Sequence, residues 1–115
     1  MNNQRIYIAH TTATDFPNTS KPDPATMTEV YNGTITWNGS GWHEITLSTS
    51  FSYNNSDNLV IYYENRDGSW ASGYPTFRNT STSSNYRAKY KFQDGSFPAV
   101  SGSRIYNRVY RPKKT

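Results

Sequence analysis

Residues 58–64 read Asn-Leu-Val-Ile-Tyr-Tyr-Glu, five apolar or aromatic side chains in a row between an asparagine and a glutamate. Turn-forming residues bracket the run, with Asn54-Asn55-Ser56 before it and Asp67-Gly68 after it. So short an apolar run between turn signals predicts a strand, and its unbroken character predicts a central one covered on both faces.

Upstream, Ile6 and Ile8 alternate with Arg5 and Tyr7, the period of a half-buried strand. Val30-Tyr31 and Ile35 to Trp37 flank Asn32-Gly33, a pair suited to the positive backbone angles of a tight hairpin turn. Asn38-Gly39-Ser40-Gly41 predicts another turn, leading into a strand over Trp42 to Leu47 with Ile45 and Leu47 on one face. Downstream, residues 86–92 alternate most cleanly: Tyr86, Ala88, Tyr90 and Phe92 on one side, Arg87, Lys89 and Lys91 on the other. A last strand is expected over Arg104 to Tyr110. No stretch repeats apolar residues at helical spacing for two turns, and abundant Asn, Ser, Thr and Gly weaken a helical backbone. Short strands with polar turns between them predict an all-β chain, an antiparallel sandwich or barrel in a single domain spanning residues 1–115.

Composition agrees. Asn, Ser and Thr supply 40 of the 115 residues, whereas Leu, Ile, Val and Phe supply only 17, a share that alone would point to disorder. Eighteen aromatic rings reverse that conclusion, because each ring buries a large area. There is no cysteine, hence no disulfide framework and no zinc ribbon. No apolar run is long enough to span a bilayer as a helix, and the start carries no signal-peptide pattern, as in a mature secreted product. A chain rich in Asn, Ser, Thr and Tyr and poor in Leu fits bacterial extracellular proteins.

Charge is divided along the chain. Residues 1–75 hold three basic and seven acidic side chains; residues 76–115 hold nine basic and one acidic. Arg87, Lys89, Lys91, Arg104 and Arg108 form a candidate basic patch toward an acidic polymer. Alternatively, lysines on an edge strand discourage sheet aggregation, or the basic end of one copy meets the acidic end of the next. Rings and charges alternate strictly over 86–92 and so fall on opposite faces, which argues against nucleic acid, whose binders need both on one groove.

Catalytic patterns are lacking. His10 and His43 have no metal-ligand spacing, and His43 shares parity with Ile45 and Leu47, the position of a hydrogen-bonded packing residue. No nucleophile elbow, phosphate loop or zinc-protease motif occurs. Asp57, Glu64 and Asp67 are the closest carboxylates, and Asp67-Gly68 reads as turn chemistry. No cofactor is expected; a structural calcium would have to use Asp57, Asp67 and loop carbonyls. Among the tryptophans, Trp42 is expected in the core, and Trp37 fits core or surface. Trp70 lies in a polar loop with Tyr74, where it either lids the core or stacks on a sugar while Asn65, Arg66 and Asp67 hydrogen-bond hydroxyls. Five Asn-x-Ser/Thr sequons occur, at Asn18, Asn32, Asn38, Asn54 and Asn79.

Ile6 to Thr11, Phe16, Val30 to Gly33, Gly41-Trp42 with Ile45 and Leu47, Phe51 to Tyr53, and Asn58 to Val60 occur in an order that resembles a family. The likeness is to jelly-roll-type β-sandwich modules of secreted and surface proteins of Bacteroidetes-type bacteria, in the setting of gingipain adhesins and type IX secretion cargo. Residues 86–92 and Tyr110-Arg111-Pro112 are similar to that family's closing portion. Three departures stand out: Asn54-Asn55 in place of a glycine turn, no strand before Ile6, and no final strand after Pro112. Either the chain is part of a longer protein, or the sandwich lacks an edge strand at one or both termini and a neighbour supplies it.

Two functions are therefore expected as alternatives. One is a non-catalytic extracellular adhesion module binding polysaccharide or a surface protein through Trp70, Tyr74, Arg66, Asp67 and Asn65. The other is a structural subunit of a surface fibre or layer, self-assembled through edge strands.

Overall fold

A computed structural model of the chain describes residues 1–16, 22–68, 78–81, 86–90, 104–106 and 108–110. Among the described residues strand is the main regular structure, and the helical content is a single 3-10 turn at Pro24–Thr26, capped by the Asp23 side chain. Two compact units hold these elements, Met1–Thr12 with Asp23–Ser72, and Ala13–Pro22 with Gly73–Thr115.

The first unit is built on an antiparallel sheet of β1 (Gln4–Thr11), β2 (Thr28–Gly33) and β3 (Asn58–Asn65), in the order β2-β1-β3. β1 pairs with β3 without interruption from Gln4↔Asn65 to Thr11↔Asn58. Its pairing with β2 shifts register, Ile6 facing Tyr31 while Tyr7 faces Glu29, so Val30 is the extra residue of a bulge. Val30 is 0 % exposed and forms the core with Ile6 and Ile35; Ile8, Tyr31, Trp37, Ile45 and Phe51 pack around them. Its carbonyl accepts from Ser48 N at 2.9 Å, Thr49 N at 3.2 Å and Ser48 Oγ at 3.2 Å. The bulge thus anchors the segment that carries Ile45 and Phe51.

Several expectations change. The run over 58–64 does form a strand, but in the described sheet β1 is central and β3 lies at an edge. Asn32-Gly33 makes no hairpin turn: both residues belong to β2, where Arg5 and Gln4 face them, and Gly33 has no positive φ. Long-range pairing outweighs the local turn preference here. The chain then continues beside the N-terminus, with Ile35 N donating to Met1 O at 3.0 Å and the Met1 amine donating to Ile35 O at 2.9 Å. Neither Ile35 to Trp37 nor Trp42 to Leu47 is a strand. Ile35 is buried nonetheless, whereas Trp42, expected in the core, is 47 % exposed. Trp42 follows Gly41, whose φ of +114° turns the chain in open space. Trp37 is half-buried, its indole N–H directed at Met1 Sδ (3.2 Å).

The second unit contains two strand pairs, β4 (Asn79–Ser81) with β7 (Arg108–Tyr110) and β5 (Ala88–Tyr90) with β6 (Arg104–Tyr106). The expected last strand is thus two strands with different partners. Phe16 N donates to Tyr86 O at 2.6 Å.

Core position predicts cost. Ile6→Ala in the central strand should lower stability by about 2–4 kcal/mol, whereas Ile61→Ala, at a site 62 % exposed, should cost about 0.5 kcal/mol or less. Urea midpoints measure both, and equal losses would contradict the assignment of the core.

Candidate functional site

The pleat divides β3 into two rows. Leu59, Ile61 and Tyr63 face His10, Ile8 and Ile6 across the ladder, while Val60, Tyr62 and Glu64 face Ala9, Tyr7 and Arg5. The first row lies on the core side of the sheet, yet all three of its side chains are exposed, because the segments around Val30 cover β1 and β2.

At one end of that row the His10 ring lies 4.8 Å from Phe51 and stacks at 5.8 Å on Tyr53, an exposed ring. Asn54 N donates to His10 Nε2 at 3.1 Å, a bond that requires this nitrogen to be unprotonated. The turn beyond is tied by Asn54 Oδ1, which accepts from Ser56 N and Asp57 N at 3.0 Å each, and by the Tyr53 hydroxyl donating to Asp57 O at 2.5 Å. Tyr53, His10, Leu59, Ile61 and Tyr63 consequently form a connected strip of rings and apolar side chains on the first unit. Contiguous exposed apolar surface of this kind marks contact sites. The strip can stack on a flat apolar face; among the described residues no group of three metal-ligating side chains occurs, there or elsewhere.

The other row is polar. Glu64 is 1 % exposed, and its Oε2 accepts from Arg66 Nε at 2.6 Å. Tyr7 and Tyr62 meet edge to face at 5.7 Å. Burial raises the Tyr62 hydroxyl pKa well above its ordinary value, reinforced by Glu64, and the Arg66 guanidinium is held above its own by the bond to Glu64. Burial likewise raises Tyr7 and Tyr63. The Tyr63 hydroxyl donates to Gln4 Oε1.

The polar residues expected to hold sugar hydroxyls have internal partners. Asn65 Oδ1 accepts from Gln4 Nε2 at 2.7 Å and Asp67 N at 3.1 Å, Asp67 Oδ2 accepts from Asn2 N at 2.9 Å, and Arg66 N donates to Asn3 O at 3.1 Å. Together with the Arg66–Glu64 pair, these bonds fasten the end of β3 to the chain before β1. Trp70 and Tyr74 lie outside the described residues. Asp57 and Asp67 sit beyond opposite ends of β3, about 30 Å apart at strand rise, so they do not share a cation.

In the basic segment, Arg87 is exposed and Lys89 is half-buried, its ammonium 5.2 Å from the Phe16 ring centroid. Burial lowers the Lys89 pKa. Arg104 and Arg108 take register positions facing Tyr90 and Ser81, and Lys91 lies outside the described residues. His43, as expected, is hydrogen-bonded, Nε2 to Gly39 O at 3.0 Å, and meets Trp37 edge-on at 5.4 Å. Sequence reasoning missed the strip because the run 59–63 was read as apolar throughout; the parity of Glu64 was the available signal for two different faces.

Among the described residues, no helix is long and apolar enough to cross a membrane. No known protein family, curated protein or solved structure matches the chain.

The polar row sets the response to mutation and to alkali. Arg66→Ala leaves a buried carboxylate unpaired; with Arg66 35 % exposed, the loss should be about 2 kcal/mol, and Glu64→Leu added to it should restore most of that. Additive losses in urea titrations would contradict the coupling. With the Tyr7, Tyr62 and Tyr63 hydroxyls raised in the folded chain, the unfolded chain releases these protons first, so stability present at neutral pH falls as pH climbs past about 10. Tyrosinate absorbance and circular dichroism followed together should show these rings ionising above the range of ordinary tyrosines. Titration of all ten tyrosines near pH 10 in an intact fold would refute it.

Proposed function

We propose that this chain is a non-catalytic recognition module of an extracellular or cell-surface bacterial protein, a jelly-roll-like β-sandwich that binds polysaccharide or a surface partner. The observation that carries this reading is the exposed strip Tyr53–Leu59–Ile61–Tyr63 beside His10, on an antiparallel sheet. Rings fixed by a sheet stack on apolar sugar faces with little loss of conformational freedom. The abundance of Asn, Ser and Thr suits a hydrated extracellular surface, and the sequence likeness to Bacteroidetes adhesin modules points to the same setting. The expectation that Trp70 and Tyr74 stack on sugar belongs to the same reading, as does attraction of acidic polymers to the basic segment with Arg87.

A second reading, a fibre or layer subunit joined by strand complementation, draws on one specific feature. β3 occupies an edge of the described sheet and carries exposed apolar side chains, the combination that invites another strand.

Retention on insoluble polysaccharides and on bacterial surface fractions tests the first reading. Tyr53→Ala and Trp70→Ala should each weaken retention about tenfold, as expected for loss of one stacked ring worth roughly 1.4 kcal/mol. Light scattering on sized fractions tests the second. A monomer retained on glycan supports recognition; filaments or rings insensitive to Trp70→Ala support assembly and displace it.

A further inference from the structure

The chain contains the dipeptide Asn-Gly twice, at Asn32-Gly33 and Asn38-Gly39, and the structure holds the two in opposite backbone settings. Asn32-Gly33 closes β2, with Arg5 and Gln4 facing it across the ladder and Asn32 Nδ2 donating to Glu29 Oε1 at 3.4 Å. The space beside Gly33 is filled as well, since a Cβ there would meet the Tyr31 hydroxyl at 3.3 Å. Asn38-Gly39 lies in an exposed turn. Gly39 has φ of +73° and Gly41 of +114°, with nothing within 4 Å of where either Cβ would stand. Neither the Asn38 side chain nor the Gly39 amide has a hydrogen-bond partner among the described residues.

From this contrast we infer that Asn38 is a site of spontaneous covalent modification, deamidation to aspartate and isoaspartate, and that Asn32 is protected from it. The Gly39 amide nitrogen, having lost its proton to solvent base, attacks Asn38 Cγ. The new Cγ–N bond closes a cyclic imide, the Cγ–Nδ2 bond breaks, and the nitrogen leaves as ammonia after taking up a proton. Water then adds to one of the two imide carbonyls. Opening on one side yields an ordinary aspartate with the main chain unchanged; opening on the other yields isoaspartate, with the main chain routed through the former side chain. Water is the sole co-reactant, and nothing is oxidised or reduced.

The fold decides the rate because the attack needs the Asn backbone to rotate until its Cγ meets the next nitrogen. An open turn with glycine at 39 and 41 permits that rotation. In β2 the same rotation would break the pairing of residues 32 and 33 with β1. Consequences are local and specific. The product carries a new negative charge, and isoaspartate lengthens the main chain by one carbon, moving Gly39 O away from His43 Nε2 and loosening the His43–Trp37 contact. It also erases the Asn38-Gly39-Ser40 sequon.

The test is peptide mapping of the full chain after incubation in mildly alkaline buffer, with fragmentation that separates isoaspartate from aspartate. A parallel sample is kept in concentrated urea. In the folded protein Asn38 should convert at least about tenfold faster than Asn32, and in urea the two should convert at similar rates, as expected when local structure sets protection. Asn38→Ser should abolish the signal from that peptide without altering the Asn32 result. Equal conversion of both sites in the folded chain, or an Asn38 that stays an amide there while converting in urea, would overturn the inference.

Discussion

The first unit depends on one irregularity, the extra residue Val30 in the pairing of β1 with β2. At the bulge the Val30 carbonyl accepts from three donors on Ser48 and Thr49, and so brings a segment without strand structure onto the sheet. That segment supplies Ile45 and Phe51 to the core margin. Phe51 in turn meets His10, and His10 meets Tyr53. The exposed strip therefore owes its upper end to a backbone defect two strands away.

The two rows of β3 show how a single strand can serve stability and contact at once. One row contributes a buried carboxylate held by Arg66, together with Tyr62, whose hydroxyl pKa is raised by burial. Such a pair is weak evidence for net stability but is costly to break from one side. The other row gives up burial of Leu59, Ile61 and Tyr63 and leaves apolar area in water. An area loss of this kind has a physical rationale when another surface covers it part of the time.

Much of the strand content was legible. β1 and β3 announce themselves by alternation and by a dense run of β-branched and aromatic residues, signals that lie within the strands themselves. What failed was local inference about turns and neighbours. Asn32-Gly33 is a strong turn signal, yet a partner 27 residues upstream, Arg5 facing Asn32, holds it extended. Ile45 and Leu47 alternate as strand residues should, but the adjoining backbone donates to a bulge carbonyl and not to a ladder. The latch formed by Asn65, Arg66 and Asp67 looked like ligand chemistry because its partners, Asn2 to Gln4 and Glu64, are recognisable only once β1 and β3 are paired. Edge or centre, likewise, is a property of topology that no single strand encodes.

The central strand of this sheet is also the first to be synthesised. β1 cannot complete its ladder with β3 until residue 65 has been made, and the Gln4–Asn65 contact closes a separation of 61 residues. Loops of that span are closed slowly, so the folding rate is set by a late, non-local step and not by any local turn. During the interval Ile6, Tyr7 and Ile8 lack their β3 partners on the nascent chain and have β2 alone to pair with, and the time between making β1 and making β3 is the period in which that open edge of β1 is exposed to chaperone capture or to pairing with a neighbour.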